Sequence, residues 1–498
     1  MGMKSAVWML GAACAAFAWG VAAVAGPAQS SDVLQDWIST HAVAVRSIGA
    51  TDDDFRDLEP LIDAIGAARV VQLGEPSHGA GSSFAAKVRL IKFLHQRMGF
   101  DVVVWESGMY DLPPVQAGLR GDADAVDAAQ RGIFKIWSAT EQVRPLFEYA
   151  KASQSGTQPL EMAGFDMQAT AKDSAERFAA DLRAFVGALR DPRLLHRASV
   201  LVDHALAASE GMHAYGHARG RKHSELSAAG QAGQALADAM AAWETGEGSR
   251  LRPKQQDLHR LQQGSAGLLA LIERHRAGFE QVHATTQVTF MARAIANLRD
   301  NGANAYARNG PDRPAGSTGD VPSIEVENRR DAGNADNLRW LIEEGYRGRK
   351  LVVWAHNVHV MNAYYAEDWR NAYLDPRPRS MKPSGVFLAE WLKDDVYTIA
   401  FTAYEGEDGW VAAAKASPLA PAAEGTLESR LHRLGKPYLF LDFRALDATP
   451  GHPLRAPQSL RFPKYDTNTL ADVTQAVDAI FYIDRMAPAT AIKATKGE

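Results

Sequence analysis

The stretch 69–84, RVVQLGEPSHGAGSSF, changes character at Gly74. Arg69 to Leu73 is a short, largely β-branched run of the kind that fills a strand buried on both faces. A glycine-bounded loop carrying Glu75 and His78 follows. From Ser82 to Met98, Phe84, Val88, Ile91 and Leu94 then recur at helical spacing until Gly99. A second continuous apolar run, DVVVW at 101–105, comes next. Strand, helix and strand in that order form a βαβ unit and predict a parallel sheet. Similar runs recur at LEMAGF (160–165), KLVVWA (350–355), VYTIAF (396–401), PYLFLDF (437–443) and AIFYI (479–483). Ahead of the first strand, Leu58, Leu61, Ile62 and Ile65 mark a helix that stops at Gly66. The expected fold is α/β, a central, largely parallel sheet flanked by helices.

Between the third and fourth runs the period changes. In KDSAERFAADLRAFVGALRDP (172–192), Phe178, Leu182, Phe185 and Leu189 make one apolar face, with Pro192 after its end. Further helical stretches are predicted at 195–210, 225–246, 255–277 and 280–299. This segment, 171–300, reads as a helical insertion capping the carboxyl ends of the strands. It divides the core into a first part, 26–170, and a second part, 326–498. The Gly-, Asn- and Pro-rich stretch 300–323 reads as an exposed loop filling most of the 301–325 connection, and 405–425 reads as a second loop.

The N-terminus places Lys4 before an alanine-rich apolar stretch that ends in Ala23-Val24-Ala25, which predicts a secretory signal (1–25) cleaved after Ala25 and a periplasmic or secreted protein. Cleavage removes Cys14, the only cysteine. The mature chain then holds no disulfide, thiolate metal site or cysteine nucleophile. A net charge of −5 without a Lys/Arg block argues against nucleic acid or an anionic membrane surface as partner, and a small molecule is the better expectation.

The conspicuous polar residues fall just after predicted strands: Glu75 and His78 after the first, Glu106 after the second, Asp166 after the third, His356 and His359 after the fourth. Ligands of parallel α/β sheets bind outside the carboxyl ends of the strands, so these side chains are expected to converge on one rim. Each has a plainer reading. Glu75 lies two turns too early to cap the helix near Ser82. His78 alone reads as a half-buried histidine, but beside Glu75 in a glycine-bounded loop it reads as functional. Glu106, directly after four apolar residues, needs a cationic partner, and His356 and His359 offer one. Arg89 faces either this rim or solvent. Asp166 reads as structural, and Asp331, with Arg330, as the cap of a helix containing Leu338 and Leu341.

Several well-known arrangements are absent. Gly74-Glu-Pro-Ser77-His-Gly79 is one residue too long for a nucleophile elbow, so Ser77 is a weak nucleophile candidate. The sequence holds no H-E-x-x-H, C-x-x-C or phosphate-binding glycine loop. A zinc or manganese site built from Glu75, His78, Glu106, His356 and His359 is chemically compatible, but the spacing does not require one.

Taken together, GEPSHG (74–79), GFDVVVWE (99–106), GFDMQ (164–168) and VVWAHNVHV (352–360), in this order and at these distances, resemble the erythromycin esterase family. The likeness runs from about residue 50 to 485. It implies hydrolysis of an ester or macrolactone by a histidine-based mechanism that uses neither metal nor cofactor, on an α/β core with a helical cover. Carried over residue by residue, His78 matches the general base and Glu75, Glu106 and His356 its polar companions. His359 matches the second histidine of the HNxH block, and Arg89, after a small shift through GAGSS, the arginine of the following helix. On this reading His356 or Arg89 donates to the developing oxyanion, while Trp137 and Tyr110 are wall aromatics or ordinary core. Two other readings use the same rim: a binding or biosynthetic accessory protein without turnover, and a metal-dependent hydrolase.

Overall fold

A computed structural model describes residues 28–493 except 170, 172–173, 232, 311–323, 364–380, 412–414, 447–450, 466 and 471. The predicted signal, 1–25, lies outside the described residues.

The strands are β1 (Val43–Ala44), β2 (Val70–Leu73), β3 (Phe100–Gly108), β4 (Glu161–Asp166), β5 (Lys350–Trp354), β6 (Val396–Asp408), β7 (Ser417–Leu419), β8 (Tyr438–Asp442), β9 (Gln458–Arg461), β10 (Thr467–Leu470) and β11 (Ala479–Met486). Nine of them form one sheet in the order β1-β8-β11-β6-β2-β5-β3-β4, with β7 on β6. The run from β11 to β4 is parallel, and β8, β1 and β7 add antiparallel edges. All seven apolar runs are strands. The two halves of the first βαβ unit are parallel but not adjacent, because β5 lies between them.

Alternate residues of each central strand enter different cores. Val71, Val103, Trp105, Val352 and Trp354 face a cluster shared with Phe84, Val88 and Ile91 of the Gly81–Met98 helix. Val70, Val102, Val104, Leu351 and Val353 face another, shared with Leu338 and Leu341. Helices thus cover both faces, which is why the strands read as unbroken apolar runs. Gly99, at φ +74°, ends the Gly81–Met98 helix in a left-handed cap and turns the chain into β3.

The insertion is helical, with two differences from expectation. Pro192 opens a single helix, Pro192–Ala228, capped by Asp191, so 211–224 is helical too. The last helix runs Thr285–Asn309, nine residues past the expected end of the insertion at 300. Its Asn-rich end is helical because Asn304 is buried and tied to the next helix, donating to Val326 O and accepting from Arg329. The 405–425 stretch also carries structure: β6 continues to Asp408 and pairs with β7. The insertion packs on the turn leaving the carboxyl end of β3, where Tyr110 meets Phe178 and donates to Asp181, and on the Ile324–Trp340 helix through Arg293 and Asn337. No helix of the described residues is long and apolar enough to cross a membrane.

Candidate active site

Because β2 pairs with β5, Leu73 opposite Trp354, the loops leaving their carboxyl ends lie side by side. A Cβ on Gly74 would sit 2.1 Å from Asn357 Oδ1, so only glycine permits this approach. Asn357 then fastens three segments. Its backbone N–H donates to Glu75 O (2.9 Å), and its side-chain amide donates to Phe401 O (2.9 Å) and Pro463 O (3.0 Å). Gly79 is required for the same reason, since a Cβ there would meet the Gly409 backbone at 2.6 Å.

This frame buries Glu75 completely and fills its acceptors. Oε1 accepts from His78 Nδ1 (2.9 Å) and Trp137 Nε1 (2.9 Å), and Oε2 from Lys87 Nζ (2.7 Å). A carboxylate can only accept here, so it fixes the His78 tautomer: the proton is on Nδ1 and the Nε2 lone pair is left over. Nε2 makes no hydrogen bond among the described residues, and the side chain is 22% exposed. Lys87 is wholly buried, 4.1 Å above the Trp354 ring, and donates also to Ala355 O. Burial pushes its ammonium down to about 8, against the charge of Glu75, which holds it up.

A second charged cluster sits at the ends of β3, β4 and β5. Arg330 reaches Asp166 at 2.5 Å and Glu106 at 3.0 Å. His359 Nδ1 donates to Asp331 Oδ1 (2.8 Å), and its Nε2 lies 3.3 Å from Glu106 and 3.1 Å from Arg330. Burial opposes protonation of His359, but Asp331 and Glu106 override it and push the imidazole up to about 9. As an imidazolium it is ion-paired with Glu106 at 3.3 Å, and its 3.1 Å approach to Arg330 is then a close contact between cations. Burial likewise opposes ionisation of Glu106, yet His359 and Arg330 hold its carboxyl well below the usual range.

Stability should follow His359. Its folded value lies above the ordinary 6.5, so its contribution is complete below about pH 6.5 and is lost as pH rises through about 9. In denaturant unfolding, the wild type should lose roughly 3 kcal/mol more than His359→Gln between pH 6 and 9.5. Equal losses would contradict the assignment.

His356 joins the two clusters. Its backbone N–H donates to Glu106 Oε2 (2.9 Å), and its ring lies 5.2 Å from that of His78. Nδ1 accepts from Val358 N–H (3.0 Å), which leaves the proton on Nε2, directed at Pro76 O (3.2 Å). Burial, and then the neighbouring His78, push it well below its ordinary value, so it stays neutral.

The structure therefore brings Glu75, His78, Glu106, His356 and His359 to one rim and leaves Arg89 out. The Arg89 guanidinium points away, into the 47–57 segment, donating to Ser47 O (2.7 Å), Asp52 O, Asp54 O and Asp57. Lys87, two residues earlier on the same helix, is the cation that meets Glu75. Arg330 and Asp331 are not a helix start either. The helix begins at Ile324, and both residues turn from its interior to the site, where Asp331 also accepts from Ser384 N–H. Trp137 is buried but polar in function, since its indole N–H is committed to Glu75. Ser77 donates to Asp408 (2.8 Å) and accepts from Gly79 N–H, as a turn-forming serine does. Among the described residues no group of three or more His, Cys, Asp and Glu side chains is arranged to hold a metal ion; Arg330 occupies the centre of the acidic cluster.

The model of the erythromycin esterase family matches residues 95–486, and the chain belongs to this family. The matched range begins after Glu75 and His78, so those two rest on geometry. Over 488 residues, covering 96% of this chain and 97% of its relative, it is 25% identical to "Putative hydrolase YbfO" of Bacillus subtilis. It is 25% identical over 125 residues, 24% of this chain and 29% of the other, to erythromycin esterase type II of Escherichia coli. In fold it is similar to a Bacillus cereus protein (TM-score 0.68, 16% identity, 94% of this chain and 100% of that one). It is also similar to a mutant of the erythromycin esterase EreC in its open conformation (TM-score 0.61, 14% identity, 88% and 96%). The chain is thus an esterase-type hydrolase by family.

Proposed function

We propose that the chain hydrolyses carboxylic esters, macrolactones among them, with His78 as the base that activates water. The observation that carries this reading is the His78 ring itself: Nδ1 is held by the buried Glu75, and Nε2 has no hydrogen-bond partner among the described residues while the side chain is partly exposed.

Water hydrogen-bonded to Nε2 loses its proton as its oxygen attacks the ester carbonyl. The imidazolium that forms is stabilised by Glu75, whose position is fixed by Trp137 and Lys87. The carbonyl oxygen becomes an oxyanion, and His356 Nε2–H, whose 3.2 Å contact with Pro76 O is long, donates to it. One such donor contributes on the order of 3 kcal/mol in acyl-transfer enzymes. Collapse of the tetrahedral intermediate expels the alkoxide, which takes the proton back from His78 and leaves the carboxylic acid. Arg330, Glu106 and His359 act behind this site by fixing the His356 backbone through Glu106.

An ester and lactone panel, followed by mass spectrometry with and without a chelator, tests the reading. Addition of one water, insensitive to chelator, supports it, and chelator-sensitive turnover replaces it with metal-dependent hydrolysis. We also propose export: the secreted or periplasmic protein should begin at Gly26 by N-terminal sequencing, and an intact Met1 in that fraction would refute cleavage.

A further inference from the structure

Of the six exposed large apolar side chains among the described residues, the two aromatic ones are Phe134 (40% exposed) and Trp410 (51%). Both belong to one run of rings that passes through His78. Phe134 lies 6.3 Å from Trp137, Trp137 5.4 Å from His78, and His78 5.9 Å from Trp410. Trp137 is buried, its indole committed to Glu75, so the run shows solvent a ring at each end and the imidazole between.

The two outer rings are placed by the site. Phe134 N–H donates to Ser107 Oγ (3.0 Å) at the carboxyl end of β3. Trp410 follows β6, where Gly409 N–H donates to Gly79 O and Asp408 accepts from Ser77, on the His78 loop itself. Single exposed apolar residues need no explanation, but two aromatic rings flanking a partly exposed histidine form a surface complementary to apolar rings.

We infer that Phe134 and Trp410 are the two arms of a subsite that selects esters bearing an apolar ring on both the acyl and the alcohol side of the scissile bond. This rests on His78 as the site of attack. A short aliphatic ester seated at His78 has no ring to offer either arm, whereas a two-ring ester stacks on one with its acid and on the other with its alcohol.

Phenyl benzoate and methyl acetate, both followed by pH-stat, test the inference. Phe134→Ala and Trp410→Ala should each raise KM for phenyl benzoate roughly tenfold, the value of one buried ring contact. They should leave kcat/KM for methyl acetate within about twofold. Trp410→Phe should restore most of the loss. Equal effects on the two esters, or no effect on phenyl benzoate, overturn the subsite. If the wild type cleaves neither ester, turnover of simple esters at His78 is refuted while lactone hydrolysis is read from the panel above, and equilibrium dialysis of phenyl benzoate decides the subsite alone: binding weakened in both variants upholds it, and unchanged binding refutes it.

Discussion

Replacing His78 by Asn is expected to lower kcat for ester hydrolysis by roughly 10²–10⁴-fold while leaving KM and the fold intact. The fold survives because Glu75 keeps Trp137 and Lys87 as donors and its position does not depend on the imidazole. The asparagine amide can still donate to Glu75, but it offers no basic nitrogen to water. Steady-state kinetics with circular dichroism checks this, and near-normal turnover in the folded variant would remove His78 from the chemistry.

The Gly81–Met98 helix supplies the second large effect, by way of a contrast. Lys87→Met should destabilise the protein by about 3–5 kcal/mol, because it strips a fully buried carboxylate of its partner, and should reduce turnover as well. Arg89→Ala should cost about 3 kcal/mol by releasing the 47–57 segment, yet leave kcat/KM within about twofold. Both guanidinium and ammonium are buried, but only the Lys87 ammonium meets a group of the site. Denaturant unfolding and kinetics on the two variants separate the roles, and a turnover defect in Arg89→Ala as deep as that of Lys87→Met would contradict them.

That contrast shows where sequence reading stops. Residues 87 and 89 are two apart, about 200° around a helix, so only one of them can face the rim. The apolar stripe cannot say which, because most of this helix is buried on every side and Lys87 and Arg89 are both inside. The strands were legible for the related reason that helices cover both faces of the sheet. Their order was not: β5 enters between β2 and β3 from about 250 residues away, and nothing local encodes that pairing. The edge strands β1 and β7, two and three residues long, are too short to show a period.

Within the site, the rim residues were legible because each directly follows a strand. Arg330 and Asp331 were not, since they approach from a helix interior and only the packing of Ile324–Trp340 on β4 and β5 brings them in. Glu106 did find its cationic partners, although His356 serves it through the backbone and not the ring. Asn357, between the two histidines of the HNxH block, is the structural centre of that motif and carried no signal beyond its position.

In the proposed mechanism water activated by His78 attacks the ester directly, while Ser77 is tied up by Asp408 and Gly79. Rapid-quench intact-protein mass spectrometry during turnover tests this most directly. Unmodified protein at every time point is the predicted result, and an acyl adduct that forms and decays on Ser77 or His78 would contradict it.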